Sequence, residues 1–164
     1  MNLQELLAEV GNASVAKHAI TNHKTLNEAY DYGSAFSRGI RIDLNGLIIL
    51  LISGTASIDE HGHTVHVGDF RAQLRRTFEN IGRLLESEGA TWRDIVRTTC
   101  YLRDIERDYA AFNEERNAFY KQQGLDPLPA STGIQAILCR PELLIEIEAI
   151  AMFRREAAGP GGTD

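Results

Sequence analysis

LLIEIEAIAMF, running from Leu143 to Phe153, decides the fold of this chain, because strict alternation runs through it while two acids interrupt an otherwise apolar element. With side-chain period two, Leu143, Ile145, Ile147, Ala149, Ala151 and Phe153 share one face, and Leu144, Glu146, Glu148, Ile150 and Met152 share the other. The segment therefore reads as a β-strand with one face in a core. Glu146 and Glu148 stand side by side on the second face. A carboxylate buried there without a partner is costly, so it either belongs to a solvated outer face, as in many antiparallel sheets, or has a chemical task. Glu146 is the candidate for chemistry.

Working outward, IRIDLNGLIILLISGTASID (Ile40 to Asp59) holds two β-rich runs joined by Asn45-Gly46, a pair that tolerates positive φ at both central turn positions. The second run, Leu47 to Ile52, is apolar throughout, which predicts cover on both faces and hence self-association. Phe70, Leu74, Phe78, Ile81, Leu84 and Leu85 recur at helical spacing behind a cap at Asp69, and this helix ends near Gly89. IVRTTCYL then reads as a strand. A second helix is expected from about Tyr109 to Gln123, closed by Gly124 and Pro127. Two further strands are expected near Thr132 to Leu138 and Leu143 to Phe153. The order ββαβαββ predicts an α+β domain with two helices on one sheet face. We expect an N-terminal extension over 1–28, with a short helix from Leu3 to about Val10, the domain over 29–155 and a disordered tail over 156–164.

At 164 residues and 18.2 kDa, with 43% hydrophobic and 24% charged residues, the composition is that of one ordinary globular domain. A formal charge of -6 and a pI near 5.4 give a polyanion no broad reason to bind, so nucleic acid is not an expected partner. No apolar run approaches a membrane span and MNLQELLAEV lacks the features of a signal peptide, so no membrane partner and a cytoplasmic location are expected. Cys100 and Cys139 have no CxxC neighbour and read as inert thiols in a reducing compartment.

Arg116 is an oddity of the second helix. It falls inside the apolar stripe of Tyr109, Phe112, Phe119 and Tyr120, where it either lays its stem on that face and reaches water or forms a fork for a carboxylate. His61, His63 and His66 lie in a Gly-containing turn region and read as solvated loop histidines rather than metal ligands. Walker, Rossmann, GxSxG and CxxC patterns are missing from the sequence, and no cofactor or metal is expected. Asn113, Ser53, Ser131 and Thr132 are individually ordinary cap, turn or edge residues.

Taken together, ISGTASID, Asn80 before Ile81, IVRTTCYLRD, DYAAFNEERNAFY, LPAST and IEIEAIA resemble the Rid family, also called YjgF or endoribonuclease L-PSP, over roughly Tyr32 to Phe153. The resemblance implies a chorismate-mutase-like fold and a homotrimer with a ligand cleft between subunits. In deaminating members of this family a glutamate in the IEIEA segment positions water and an arginine in a PARS-like segment binds the carboxylate of a 2-imino acid. The glutamate matches Glu146, but the arginine position holds Ser131. The family's tyrosine in a GPYSQ-like segment becomes Phe36 within SAFSRG, Arg38 replaces a glutamine-like position after Ser37, and Arg116 replaces a helix tyrosine. AFSRG, GTASID and FNEER are also similar to the C-terminal half of chorismatases, which hydrolyse an enolpyruvyl ether.

These readings combine into an expected hydrolase with an altered site, acting on a small anionic metabolite through a water held by Glu146. Arg116 is expected as the main anion anchor, within reach of Glu146 or Glu148, because a helix fixes it in dry surroundings. Arg38, on a solvated loop, is expected as a secondary contact, with Phe36, Ser37, Ser131, Thr132 and Asn113 completing the site. Two alternatives stand beside this: a noncatalytic trimer that binds a metabolite, and a chorismatase-like hydrolase.

Overall fold

Asn45 and Gly46 turn the chain with φ of 49° and 79° in the computed structural model, which describes residues 15–21 and 35–154. The elements are β1 (Val15–Ala19), β2 (Gly39–Leu44), β3 (Leu47–Ala56), α1 (Phe70–Ser87), β4 (Ile95–Leu102), α2 (Ile105–Gln123), β5 (Ala130–Gln135) and β6 (Ile145–Arg154). They build one mixed sheet in the order β1-β2-β3-β6-β4-β5. All neighbours are antiparallel except β4 and β5, which α2 joins as a crossover.

The alternating strand lies at the centre, between β3 and β4. Ile145, Ile147, Ala149 and Ala151 are buried, together with Ile48, Leu50 and Ile52 of β3 and Cys100 and Leu102 of β4. Both helices cover this face. Asp69 caps α1 by accepting from the Ala72 N–H, and Phe70, Leu74, Phe78, Ile81, Leu84 and Leu85 are all buried. Phe78 stacks on Phe119 of α2 with centroids 4.5 Å apart, and Trp92 meets both rings edge-on.

Three polar residues then fix the loops around the open face. Asn80 Nδ2 donates to the carbonyls of Ala56 and Ile58 at 2.9 and 3.0 Å, pinning the end of β3. Gln73 donates to the Glu142 carbonyl and accepts from the Leu144 N–H, while the Arg103 guanidinium donates to the carbonyls of Leu138, Arg140 and Leu143. The segment entering β6 is thus anchored from two sides.

The structure corrects the expected order at its beginning. Part of the stretch read as an N-terminal extension is β1, a sixth strand paired with β2 from Val15↔Leu44 to Ala19↔Ile40. Its five residues are all exposed, so backbone pairing rather than an apolar face holds it, and VAKHA carries no alternation to betray it. The helix expected from Leu3 to Val10 and the tail over 156–164 lie outside the described residues. Helix α2 starts four residues before the expected Tyr109, because Asp104 caps it and accepts from the Arg107 N–H, with Glu106 and Asp108 in the first turn. Tyr109 itself is exposed. Strand β5 ends at Gln135, short of the expected Leu138.

Candidate active site

Between Ile52, opposite Ala149, and Thr55, opposite Ile147, the pairing of β3 with β6 slips by one residue. Ser53 and Gly54 together face Glu148, which makes a β-bulge, a device that re-aims side chains next to functional sites. The bulge is fastened on both sides: the Ser53 N–H donates to the Arg38 carbonyl, Ser53 Oγ donates to the Ser37 carbonyl at 2.7 Å, and Thr55 Oγ1 donates to the Ser53 carbonyl. Against it lies Glu146. A Cβ added to Gly54 would stand 1.9 Å from Glu146 Oε1, so only the absence of a side chain there lets the carboxylate occupy its place.

Glu146 opens into a cleft of about 550 Å³ lined by Phe36, Arg38, Ser53, Gly54, Cys139, Arg140 and Leu143, among others. The volume falls within the roughly 300–1,000 Å³ of small-molecule sites. Burial pushes the Glu146 carboxyl above its ordinary value, and repulsion from Glu148 adds to it. A carboxyl that holds its proton to higher pH than usual is suited to acid-base work near neutrality. Tyr101, opposite Glu146 on β4, is raised as well, by burial first and then by its hydrogen bond to Glu148.

The site residues expected from sequence divide between two places. Glu146, Phe36 and Arg38 share the cleft, with Ser37 directly behind Ser53. Arg38 is 6% exposed and stacks over the Phe36 ring at 5.5 Å, so it is a buried cleft residue and not the mobile, water-screened side chain expected of its loop. Arg116 is elsewhere. Ser131 pairs with Thr98, whose side chain is buried under the helices, and Thr98 pairs with Ala149 rather than with the acid-bearing positions. Arg116 donates to Ser131 Oγ at 3.3 Å and to Asn113 Oδ1 at 2.6 Å, and its guanidinium lies 4.6 Å from the Phe112 ring centroid. It makes no ion pair with Glu146 or Glu148. Within the chain Arg116 does not reach those acids, because they point to the opposite side of the same sheet. Thr132 lies on the edge strand, accepting from Arg97.

Two contributors escaped the sequence reading. Arg140 is followed by Pro141, and nothing in that pair signals a cleft residue. Gly54 lies in ISGTASID with no local mark of its use, which is to make room for one carboxylate. His61, His63 and His66 lie exposed on a turn in which Asp59 accepts from the His61 and His63 N–H groups. Among the described residues there is no group of acids, histidines and cysteines placed to hold a metal ion. No described helix is long and apolar enough to cross a membrane.

Comparison with known proteins places this geometry. The chain is 34% identical over 103 residues to the 3-aminoacrylate deaminase RutC of Acinetobacter baylyi, covering 63% of this chain and 78% of that protein. It is 33% identical over 111 residues to a RutC family protein of Haemophilus influenzae, covering 68% and 82%. In structure it is similar to the Rid protein YyfA of Yersinia pestis, with a TM-score of 0.69, 28% identity and coverage of 83% and 98%. The YjgF gene product of E. coli gives a TM-score of 0.68, 27% identity and coverage of 84% and 99%. The endoribonuclease L-PSP profile matches residues 27–153, and with these relatives it establishes that the chain belongs to the Rid family, known also as YjgF or endoribonuclease L-PSP.

Proposed function

We propose that this chain is a Rid-like hydrolase acting on a small carboxylated metabolite, with Glu146 holding the attacking water. The observation that carries the reading is the half-buried Glu146 carboxyl seated against Gly54 in a cleft that also holds Arg38. Ionised Glu146 takes a proton from water as its oxygen bonds to an imine carbon, and that proton passes to nitrogen to give a carbinolamine; Glu146 then carries the hydroxyl proton to nitrogen as the C–N bond breaks, so ammonia leaves, a carbonyl product forms and the carboxylate is restored. A relative named as a 3-aminoacrylate deaminase supports this reaction class. Ser131 stands where deaminating members keep their arginine, and a hydroxyl lacks the charged bidentate grip. In this reading the substrate carboxylate is met by Arg38.

The active form is proposed to be a homotrimer with the cleft between subunits. Support comes from the sheet face that the helices leave open. Leu51, Ile134 and Met152 are 40%, 43% and 39% exposed there, beside half-buried Ile49 and Ile150. Such a patch is what association covers. Light scattering is expected to give a trimer, and a stable monomer at micromolar concentration contradicts it.

A panel of small imino and keto acids and enolpyruvyl ethers, followed both by thermal shift and by product formation, tests the reaction. Glu146→Gln is expected to keep ligand-induced stabilisation and lose turnover. The second reading, a noncatalytic metabolite-binding trimer, is favoured by Ser131 at the arginine position. Stabilisation by a ligand that the unmodified chain never turns over decides for it.

A further inference from the structure

Arg97 and Glu148 are opposite charges on the sheet face that the helices leave open. In the pairing of β4 with β6, Arg97 lies opposite Ile150 and Thr99 opposite Glu148, so the two charged residues stand on one face, one step apart across neighbouring strands. Both are exposed. With Leu51, Thr99 and Ile150 they rim a dent of about 190 Å³. Among the described residues neither takes part in an ion pair. Arg97 donates to Thr132 Oγ1 at 3.2 Å, and Glu148 accepts from the Tyr101 hydroxyl, so each charge is met within the chain by a neutral group.

We infer that, in the proposed homotrimer, Glu148 of each copy is met by Arg97 of the partner subunit. The inference rests on the homotrimer reading and adds the charged joint by which the copies recognise one another. Leu51 and Ile150, apolar positions that association covers, share the dent with Arg97 and Glu148, so a copy seated there takes water from both charges. Charges stripped of water and left with neutral partners are costly, whereas opposite charges brought together across the contact offset that cost. A second copy of this chain carries both signs on the face in question. In a closed ring the contact is head to tail, so each copy presents Arg97 to one neighbour and Glu148 to the other, and no copy keeps an unmatched charge. Glu148 follows Glu146 on its face of β6, so the joint adjoins the candidate catalytic acid.

Light scattering of the full chain across a dilution series reads the assembly. Arg97→Glu and Glu148→Arg each place like charges at every joint, and each is expected to raise the concentration needed for assembly about tenfold or more. The double reversal Arg97→Glu/Glu148→Arg is expected to restore it. Mixing the two single variants separates a joint between copies from a pair within one chain. A mixed ring of three holds two matched joints and one mismatched, so the mixture is expected to assemble at lower concentration than either variant alone, whereas a pair within one chain gains nothing from mixing. Should a reversed chain not fold, a mixture of Arg97→Gln with Glu148→Gln gives the same reading, because one joint of each mixed ring keeps the native pair. A trimer that ignores both reversals, or that the double reversal restores and the mixture does not, overturns the joint and leaves the homotrimer reading standing. A monomer from the unmodified chain removes the homotrimer reading first, and the joint falls with it.

Discussion

Two polar clusters lie on opposite sides of one sheet, and their chemistry differs because their partners differ. On the open side, Glu146 sits against a backbone bulge and its carboxyl is held above the ordinary range. On the helix side, Arg116 is met by an amide oxygen, a hydroxyl and an aromatic face. The first cluster keeps a reactive group in a cleft with incomplete solvation. The second satisfies its charge with dipoles and leaves little for a ligand. An acid and an arginine in an apolar setting invite pairing by sequence, yet alternation on neighbouring strands sends them apart.

The sharpest way to break this contrast is to neutralise the open side. Glu146→Gln is expected to lower turnover by about 10² to 10⁴ while leaving ligand-induced stabilisation in place. Steady-state rates and thermal shift on the same preparation check it. Full activity in this variant would remove the distinction between the two clusters.

Gly54→Ala attacks the same cluster without touching its charge. The new methyl would stand 1.9 Å from Glu146 Oε1, and the atom that must yield is the far end of a flexible side chain rather than backbone. Gly54 is not among the positive-φ glycines, so alanine suits its backbone. The chain is expected to fold with a melting temperature close to the unmodified value and to lose up to about 10² in rate, the scale of a misplacement of about 1 Å. Unchanged kinetics would show that the carboxylate works from another position.

Proton linkage separates the clusters more gently. Burial and Glu148 favour the protonated form of Glu146 in the folded chain, whereas the unfolded chain titrates near the ordinary 4.5. The stability from that retained proton is complete below about 4.5 and is lost as pH rises through the elevated folded value. Glu146→Gln escapes this loss. It is expected to melt with the unmodified chain in acid and above it at neutral pH, while turnover of the unmodified chain climbs with pH across the same window. Melting curves over a pH series check both the sign and the window.

Much of this contrast was legible in the sequence. Period-two alternation exposed β6 and its two faces, Asn45-Gly46 located the hairpin, and the spacing from Phe70 to Leu85 located α1, since in each case a local pattern meets a single geometric demand. Strand β1 was illegible because its pairing uses backbone groups that every residue carries. The places of Arg38 and Arg140 are illegible for a related reason. Arg38 is buried and Arg140 half-buried in a cleft where loops meet across the sheet, and no local spacing records that juxtaposition. The spacing places Arg116 among aromatic residues, as the structure does, but within the chain its partners are Asn113 and Ser131 rather than the acids, because a helical wheel does not reveal which side of a sheet the helix covers.

The smallest expected effect comes from the helix side. In Arg116→Leu the contact with Phe112 and the donations to Asn113 and Ser131 disappear. Such a cation-aromatic contact contributes about 0.5–1 kcal/mol at a partly exposed position, a change of about 1–4 °C in melting temperature for a chain of this size. Ligand affinity is expected to stay constant, because Glu146 and both cleft arginines lie across the sheet from the substitution. Arg116→Lys retains the charge but not the planar fork, and is expected to melt between the two. A fall in affinity in Arg116→Leu with an unchanged melting temperature would place Arg116 in a ligand site after all. Within the chain the cleft lies on the other face of the sheet, so that result would point to the cleft of a neighbouring subunit. Mixed assemblies of Arg116→Leu and Glu146→Gln chains would then regain activity that neither variant has alone.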